Sequence, residues 1–515
     1  MALESYLSLK QGCKKIPMQE NSLAITKVNQ GVYAKARLSR DPRFDGQFFV
    51  AVKTTGIFCR PICPAKLPKE ENVTYFTHAT TAMAQGFRPC YRCRPDSAPQ
   101  SSAWEGVNTT LSRAMKLLSA LPIQSIAHIS SRLGISERYL NKLMISAVGI
   151  SPKQFQNMQR ALFAKQLIQQ SALSFTDIAH TASYDSLRQL QRAIAQYCNT
   201  TPSALRKTKA AAHNDITLFL SYRPPYDWAY VREFLSMRAI SGMENVTENS
   251  YQKWFNLQGD VGYVRVEHVN ARNGFAVTIN IPDLSHLHSI IENIKGMLDL
   301  NADPALIKHS LVQAGLSENE VLCGIRLPSA WSVFESGCRA ILGQQVSVKA
   351  AIGQVSLLVH TLGAKAKTAK TDKPDTIHTN ASNCSVSGEN AYCFPSPDSV
   401  ALADLRFLRM PDARRETLRR FAQLFSENSS PDHSEILALK GVGPWTLDYI
   451  KMRGERQPDV YLEGDLIVRK MAALHPVEPE KAAPWRSYLT LQLWKLSDNA
   501  QGKTESKARK KEKDK

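Results

Sequence analysis

The sequence predicts a multidomain chain that is mainly α-helical with α+β parts. At 515 residues it is too long for a single core and should hold about three or four domains. Two close cysteine pairs near the start predict a small first domain, and a repeated helical pattern predicts a tandem helix-turn-helix domain after it. Alternating apolar segments before a long helical stretch predict an antiparallel sheet and then a helical bundle.

The charge of the chain predicts its class of partner. Lysine and arginine total 65 against 46 aspartates and glutamates, a formal net charge of +19. An excess of this size indicates nucleic acid or an acidic membrane surface as partner. No apolar run reaches the ~18 residues of a membrane span, and the first residues contain no signal-peptide core. We therefore expect a cytoplasmic, nucleoid-associated protein whose cysteines are metal ligands or free thiols rather than disulfides.

Four cysteines give the first domain its predicted chemistry. Cys59 and Cys63 form one pair, and Cys90 and Cys93 form another. Two close pairs separated by an intervening segment have the spacing of a tetrahedral thiolate zinc site. Closed sites of this kind usually hold a small domain together, so a purely structural zinc ion is one interpretation.

The residues around these cysteines resemble the N-terminal domain of the Ada family. The pairs lie in Thr-Thr-Gly-Ile-Phe-Cys-Arg-Pro-Ile-Cys-Pro (54–64) and Gly-Phe-Arg-Pro-Cys-Tyr-Arg-Cys-Arg-Pro (86–95). The resemblance implies that Cys59 is a zinc-bound thiolate that irreversibly accepts a methyl group from a methyl phosphotriester in DNA. Because alkylation removes negative charge from the site, DNA affinity should rise after methylation. The positions where the family contacts DNA are Thr55, Lys66 and Arg88.

The next stretch predicts two helix-turn-helix units. Apolar residues at helical spacing follow Ser125, and Gly134 marks a turn before a helix that Ser136 can cap. The pattern recurs about fifty residues later with Ser183 at the turn. Residues 153–170 should form one long connecting helix. The alternative is a helical bundle with amphipathic surface helices.

This repeat resembles the AraC-type DNA-binding domain, which sets two recognition helices into successive major grooves. The resemblance is weaker in the second unit, where Ser183 replaces a glycine and Leu190 and Ile194 stand at positions often taken by phenylalanine. The candidate base-reading residues are Arg138, Asn141 and Lys142 on the first helix, and Arg188, Gln189 and Arg192 on the second.

The second half should begin with a small antiparallel sheet. Alternating apolar segments occur at 216–222, 262–268 and 275–281, and Asn273-Gly274 predicts a hairpin between the last two. After Leu287 the pattern is helical almost to the end, apart from a polar segment at 364–390 that is expected to be a disordered insertion.

The stretch from Leu439 to Thr446 predicts a helix, a glycine hairpin and a second helix. Gly441 and Gly443 allow a tight turn and a close approach to a ligand. The turn leaves amide groups unpaired at the start of the second helix, which suits a phosphate. Asp465 supplies a carboxylate downstream. Such hairpins also occur in loops without a ligand.

This hairpin is one of three stretches that resemble the AlkA family of alkylbase DNA glycosylases. The others are Leu-Ser-Tyr-Arg-Pro-Pro-Tyr-Asp-Trp (220–228) and Cys-Arg-Ala-Ile-Leu-Gly-Gln-Gln-Val-Ser-Val (338–348). The resemblance implies a TATA-binding-protein-like sheet followed by a helix-hairpin-helix bundle, with a monovalent cation at the hairpin. It also implies roles for Asp465 as the catalytic aspartate, Trp445, Tyr449 and Trp494 as the base pocket, and Gln345 as the wedge in the duplex.

The implied reaction is hydrolysis of the N-glycosidic bond of a flipped, alkylated base. A carboxylate is suited to stabilise the oxocarbenium-like sugar, and aromatic faces can stack on a cationic base. Thr446 stands where bifunctional glycosylases of this superfamily carry a lysine, so we expect no strand cleavage. The Pro-Cys-His-Arg motif of alkylguanine methyltransferases is also absent from the sequence.

Together these patterns predict a bacterial alkylation-response protein that is a monofunctional DNA-3-methyladenine glycosylase, a phosphotriester methyl acceptor and a transcriptional regulator. Double-stranded DNA is the expected partner, RNA polymerase a second one, and the chain is expected to be a monomer. The alternative is a transcriptional activator whose glycosylase-like half binds DNA without catalysis. The predicted boundaries are an extension (1–30), a zinc domain (31–100), a helix-turn-helix domain (108–208), a sheet domain (215–290), a helical domain (291–496) and a basic tail (500–515).

Overall fold

The computed structural model describes most of the four predicted domains. The described residues are 27–40, 44, 48–63, 65–77, 79–90, 93, 95, 109–206, 215–366 and 391–498. The predicted tail and nearly all of the predicted insertion and extension lie outside them.

The described residues of the first domain form a four-stranded sheet with two α-helices, in the strand order β3-β1-β2-β4. Its elements are α1 (Lys27–Ser39), β1 (Phe49–Val52), β2 (Ile57–Cys59), β3 (Val73–Phe76), α2 (Ala79–Ala84) and β4 (Arg88–Pro89). Helix α1 begins inside the stretch predicted to be an extension. The buried Arg37 of this helix donates to the hydroxyl of Tyr75 at 3.1 Å and pairs with Glu70, so the helix is part of the domain.

The second domain confirms the tandem helix-turn-helix prediction. It consists of α3 (Thr109–Ser119), α4 (Ile126–Leu133), α5 (Glu137–Val148), α6 (Pro152–Gln170), α7 (Phe175–Thr181), α8 (Leu187–Cys198) and α9 (Pro202–Leu205). Gly134 turns with φ +67°, and Ser183 turns in the second unit with φ +58° in spite of its side chain. Leu190 and Ile194 are fully buried, so they replace the expected phenylalanines as core residues. Helix α3 was not anticipated from the sequence.

The sheet domain is antiparallel, with the strand order β5-β9-β8-β7-β6. Its elements are β5 (Ile216–Ser221), α10 (Trp228–Ser236), β6 (Glu244–Val246), β7 (Ser250–Leu257), β8 (Asp260–Val269) and β9 (Gly274–Asn280). The three predicted strands are present, and Asn273 adopts the left-handed conformation (φ +50°) in the predicted hairpin. Strands β6 and β7 and helix α10 were not anticipated.

The last domain is helical, as predicted. Its helices are α11 (Leu287–Met297), α12 (Pro304–Gln313), α13 (Val333–Leu342), α14 (Val348–Leu362), α15 (Pro397–Leu402), α16 (Asp412–Glu427), α17 (His433–Leu437), α18 (Pro444–Arg453), α19 (Leu466–Leu474) and α20 (486–498). Its core packs Phe334 against Phe421 with ring centroids 5.8 Å apart. Gly337 has to be small, because a Cβ there would lie 2.1 Å from the Phe421 ring.

The helix-turn-helix domain packs directly on the sheet domain. The side-chain carbonyl of Gln170 in α6 accepts a hydrogen bond from the backbone N–H of Phe219 in β5 at 2.8 Å. The ring of Phe163 meets His288 edge-on at 4.9 Å. One buried apolar cluster therefore runs from α6 through the sheet and into the helical domain. In the part of the chain that the structure describes, we find no helix long and apolar enough to span a membrane.

Candidate functional site

Four cysteine thiols meet at the end of the first sheet. Strand β2 ends at Cys59, strand β4 leads into Cys90, and the N–H of Cys90 donates to the carbonyl of Phe58 at 2.9 Å. This pairing brings the two cysteine pairs together, so that the ligand atoms of Cys59, Cys63, Cys90 and Cys93 all lie within 4.8 Å of one another. Four sulfurs at this separation fit a tetrahedral zinc ion.

The four thiols differ in access to solvent. Cys63, Cys90 and Cys93 are buried, whereas Cys59 is half-buried. The sulfur of Cys93 also accepts a hydrogen bond from the backbone N–H of Arg60 at 3.3 Å, which reduces its nucleophilicity by stabilising its charge. Cys59 is therefore the sulfur of the four that a reagent outside the domain reaches most easily.

The predicted DNA-contacting residues of the first domain lie at its surface. Thr55 is exposed in the turn between β1 and β2, and Lys66 is exposed after the first cysteine pair. Arg88 is half-buried in β4, two residues before Cys90.

The predicted base-reading residues lie on the exposed faces of α5 and α8. Ser136 and Ser186 cap the two helices, each accepting from a backbone N–H three residues on. Gln189 is already engaged, since its amide donates to Asp185 at 3.1 Å and its carbonyl accepts from the Asp185 N–H. The exposed residues are Arg138, Asn141, Lys142, Arg188, Gln189 and Arg192.

The glycine hairpin joins α17 to α18. Gly441 has φ +94°, and a Cβ there would lie 2.3 Å from the hydroxyl oxygen of Thr417. That hydroxyl donates to the carbonyl of Lys440 at 2.9 Å and holds the turn in place. Gly443 is the N-cap of α18, and a Cβ there would meet nothing within 4 Å. Only Gly441 is thus required by the fold itself, and Gly443 leaves open space at the start of the helix.

Gln344, to which the sequence analysis assigned no role, supports this hairpin. The amide of Gln344 donates to the carbonyl of Gly441 at 3.0 Å and to the hydroxyl of Thr446 at 3.1 Å. Its neighbour Gln345 is exposed and has φ +56°, a strained conformation for a residue with a side chain. Backbone strain of this kind clusters at functional sites, and it therefore supports a role for Gln345 at the surface.

A cavity of about 1510 Å³ lies beside the hairpin and gathers the residues predicted to form the second site. Asp465, at the N-cap of α19, lines it together with three half-buried aromatic residues. The rings of Trp445 and Tyr449 stack with centroids 5.4 Å apart. The predicted residues that line this cavity are Asp465, Trp445, Tyr449, Trp494, Gln345 and Gly441.

Asp465 is held by three hydrogen bonds to one of its oxygens. Oδ1 accepts from the backbone N–H of Ile467 at 3.0 Å, from that of Val468 at 3.1 Å and from the indole of Trp494 at 3.1 Å. Within the described residues no donor binds Oδ2, so this oxygen is left for the cavity. Trp494 therefore orients the carboxylate in addition to lining the wall.

Two residues of the cavity wall that the sequence analysis did not predict come from α10 and the turn after it. Phe234 lines the cavity from α10, and the guanidinium carbon of Arg238 lies 3.7 Å from the centroid of its ring. A signal was present, because Asp227 can cap a helix whose apolar face includes Phe234.

The phenol of Tyr449 lies in an unusually positive environment. Burial alone would raise its pKa, but the charges of Arg453, Arg238 and Arg339 outweigh this effect and lower the pKa of Tyr449 below its usual value. Burial lowers the pKa of Arg453 to about 10. The side chain of Arg453 is packed between Phe234 and Tyr449, with its guanidinium carbon 4.3 and 5.9 Å from the two ring centroids.

Comparison with known proteins relates the chain to DNA repair proteins over nearly its whole length. The matching family profiles are the metal binding domain of Ada (residues 33–96), a helix-turn-helix domain (129–208) and the AlkA N-terminal domain (217–332).

Individual relatives match either the whole chain or one part of it. The probable bifunctional transcriptional activator/DNA repair enzyme AlkA of Mycobacterium tuberculosis is 32% identical over 89% of this chain and 95% of its own length. DNA-3-methyladenine glycosylase 2 of Escherichia coli is 29% identical over 53% of this chain and 95% of its own length. The Ada transcriptional activator/DNA repair enzyme of Escherichia coli is 34% identical over 29% of this chain and 41% of its own length.

Proposed function

Because this chain belongs to the family of bifunctional transcriptional activator/DNA repair enzymes of the AlkA type, we propose that its second half is a monofunctional DNA-3-methyladenine glycosylase. The observation that carries the proposal is the cavity in which Asp465 faces Trp445, Tyr449 and Trp494 beside a hairpin suited to a DNA phosphate. An aromatic cavity with one oriented carboxylate matches the needs of glycosidic bond hydrolysis on a cationic base.

In this mechanism the hairpin binds a backbone phosphate through amides at the start of α18, with Gly443 leaving room for the approach. Gln345 fills the gap in the duplex, and the flipped base stacks among the aromatic rings. As the C1′–N bond breaks, the free oxygen of Asp465 stabilises the positive sugar and orients the attacking water. Thr446 is buried and offers no amine to the sugar, so the reaction ends with an abasic site.

The direct test is release of 3-methyladenine from methylated DNA by the purified full-length protein. We expect release of the free base without strand cleavage. Absence of release under conditions where the protein binds DNA would refute the proposal and would favour a regulator whose second half only binds DNA.

We also propose that Cys59 is a methyl acceptor for DNA methyl phosphotriesters. Zinc held by Cys59, Cys63, Cys90 and Cys93 would keep the thiols deprotonated near neutral pH. The sulfur of Cys59 forms the new S–C bond, the O–CH3 bond breaks, and its electron pair remains on the phosphate diester. The greater exposure of Cys59 supports its assignment over the three buried cysteines. A mass gain of one methyl group at Cys59 after incubation with methylated DNA tests this step, and an unchanged mass would indicate a structural zinc site.

The remaining parts of the proposal concern partners. Exposed residues of α5 and α8 would read promoter DNA in successive major grooves, with Thr55, Lys66 and Arg88 contacting DNA beside the methyl acceptor. We also propose that the protein contacts RNA polymerase, acts as a monomer and binds a monovalent cation at the hairpin. We propose the domain boundaries given in the sequence analysis, except that the first domain starts at Lys27 rather than at residue 31.

A further inference from the structure

One side-chain amide joins the loop that contains Gln345 to the glycine hairpin. This loop, which we call the wedge loop, is the segment 343–347 between α13 and α14. The side-chain nitrogen of Gln344 lies 3.0 Å from the carbonyl oxygen of Gly441 and 3.1 Å from the hydroxyl oxygen of Thr446. Because a carbonyl oxygen only accepts, the NH2 group of the amide and not its oxygen must face Gly441. The two hydrogens of this group therefore serve two acceptors, one in the hairpin and one in the first turn of α18.

The two acceptors lie in the chain on either side of Gly443, the residue that leaves open space at the start of α18. Thr446 is only 3% exposed, so its hydroxyl is fixed within the helical domain. Gly441 lies tightly against Thr417, since a Cβ there would be 2.3 Å from the hydroxyl oxygen of that residue. Gln344 thus binds parts of the hairpin that are themselves held in place.

The wedge loop is anchored at both ends. Gln344 ties its beginning to the hairpin, and Ser347 at its end caps α14 by accepting from the N–H of Ala350 at 3.3 Å. Between these anchors Gln345 and Val346 are exposed, and Gln345 has φ +56°. The position of Gln345 relative to the hairpin is therefore set by the neighbouring amide.

We propose that Gln344 is a positioning residue that couples the binding of a phosphate at the hairpin to the entry of Gln345 into the duplex. The inference rests on the proposed glycosylase function and adds to it the link between backbone binding and extrusion of the base. Gln344 itself contacts no substrate in this role. With the bridge in place, a hairpin that holds a phosphate also places the wedge loop, so the loop does not have to be ordered while the base leaves the stack.

Thr446 gains a role of its own from this bridge. It occupies the position of the lysine in bifunctional glycosylases. A lysine side chain has donors and no acceptor, so it would not receive the amide hydrogen of Gln344. The threonine hydroxyl at this position is therefore part of the proposed coupling.

The test uses an oligonucleotide with a single 3-methyladenine, annealed so that either thymine or an abasic site lies opposite the lesion. A base without a partner is extruded at lower cost, so its release depends less on the wedge. We expect Gln344→Ala in the full-length protein to lower single-turnover release from the paired lesion by roughly tenfold, as for the loss of one or two hydrogen bonds, and from the unpaired lesion by less than about threefold. Affinity for an undamaged duplex should be retained, because the backbone amides of the hairpin are unchanged.

Variants of Thr446 test the same bridge from its other side. Thr446→Val removes the acceptor at nearly constant volume and should also slow release mainly from the paired lesion. Thr446→Ser keeps a hydroxyl and should restore the wild-type ratio of the two rates. The double variant Gln344→Ala/Thr446→Val should be no slower than Gln344→Ala, since the bond between the two residues is already absent from the single variant.

Gln354 provides the matched control. It lies on α14, outside the described wall of the cavity, and its side-chain carbonyl accepts from the N–H of the distant Arg409 at 2.8 Å. Gln354→Ala likewise removes a glutamine that ties two segments together, but it leaves the bridge to the hairpin intact. The ratio of the two release rates should therefore equal that of the wild type.

Two results would overturn the inference. Gln344→Ala could change release from the paired and the unpaired lesion by the same factor, or Gln354→Ala could produce the same selective loss. If Gln344→Ala did not fold, equal ratios in Thr446→Val and Thr446→Ser would overturn it instead. Each of these results leaves the proposed glycosylase intact. If the wild type released 3-methyladenine from neither duplex, the proposed function would fail and the inference with it.

Discussion

Asp465→Asn separates the catalytic role of this residue from its structural role. Asn retains an oxygen that can accept from Ile467, Val468 and Trp494, and Asn caps helices about as well as Asp. The free energy of unfolding should therefore change by less than about 0.5 kcal/mol. The variant loses only the negative charge that faces the cavity.

The loss of that charge should strongly reduce the rate of the reaction. A carboxylate about 4 Å from a positive sugar, at an effective dielectric constant near 20, is worth about 4 kcal/mol. We therefore expect single-turnover release of 3-methyladenine from methylated DNA to fall by roughly a thousandfold. DNA binding should be retained, because the hairpin is untouched.

A matched control variant tests whether the loss of a helix-capping carboxylate alone slows the reaction. Asp404 also caps a short helix, accepting from the N–H of Arg406 at 3.1 Å, and it does not line the cavity. Asp404→Asn should release the base at the wild-type rate. Undiminished release by Asp465→Asn, in a protein of wild-type stability, would refute the assignment of this carboxylate as the catalytic group.

Three further predictions concern other parts of the molecule. Gly441→Ala should lower the free energy of unfolding by about 1–3 kcal/mol in chemical denaturation, because of its φ and the absence of space for a Cβ, whereas Gly443→Ala should fold normally and weaken binding to a DNA duplex. Cys59→Ala should gain no methyl group in a mass measurement after incubation with methylated DNA, whereas replacement of the exposed Cys323 by Ala should leave the methyl transfer unchanged. Burial raises the pKa of Asp299 to about 6, so the folded state binds its proton more tightly than the unfolded state, and stability should fall as the pH rises from about 4 to 6 by at most about 3 kcal/mol. Asp299→Asn should remove this part of the pH dependence, and an unchanged slope would contradict it.

The sequence predicted the elements whose signals are local. The left-handed turn at Gly134 and the helix cap at Ser136 can be predicted from a single sequence, because short-range geometry decides both features. The cysteine spacing likewise predicted a four-sulfur cluster, which the structure forms.

The parts that were missed depend on distant partners. Helix α1 reads as featureless until Arg37 is seen to pair with Tyr75 and Glu70. Arg453 follows an ordinary helical pattern, and only the fold reveals that it is buried beside Tyr449 with no ion pair to a described carboxylate. Such environments are formed by residues far apart in sequence, so periodicity and spacing carry no signal for them.

The packing of α6 on β5 bears on how this chain can be divided. The hydrogen bond between Gln170 and Phe219 joins a residue before segment 207–214 to a residue after it, and so does the edge-on contact of Phe163 with His288. A cut in that segment would expose apolar surface on both fragments, and each would be prone to aggregation. Although the parts have separate relatives, the halves of this chain should therefore melt in one cooperative transition and should be expressed together.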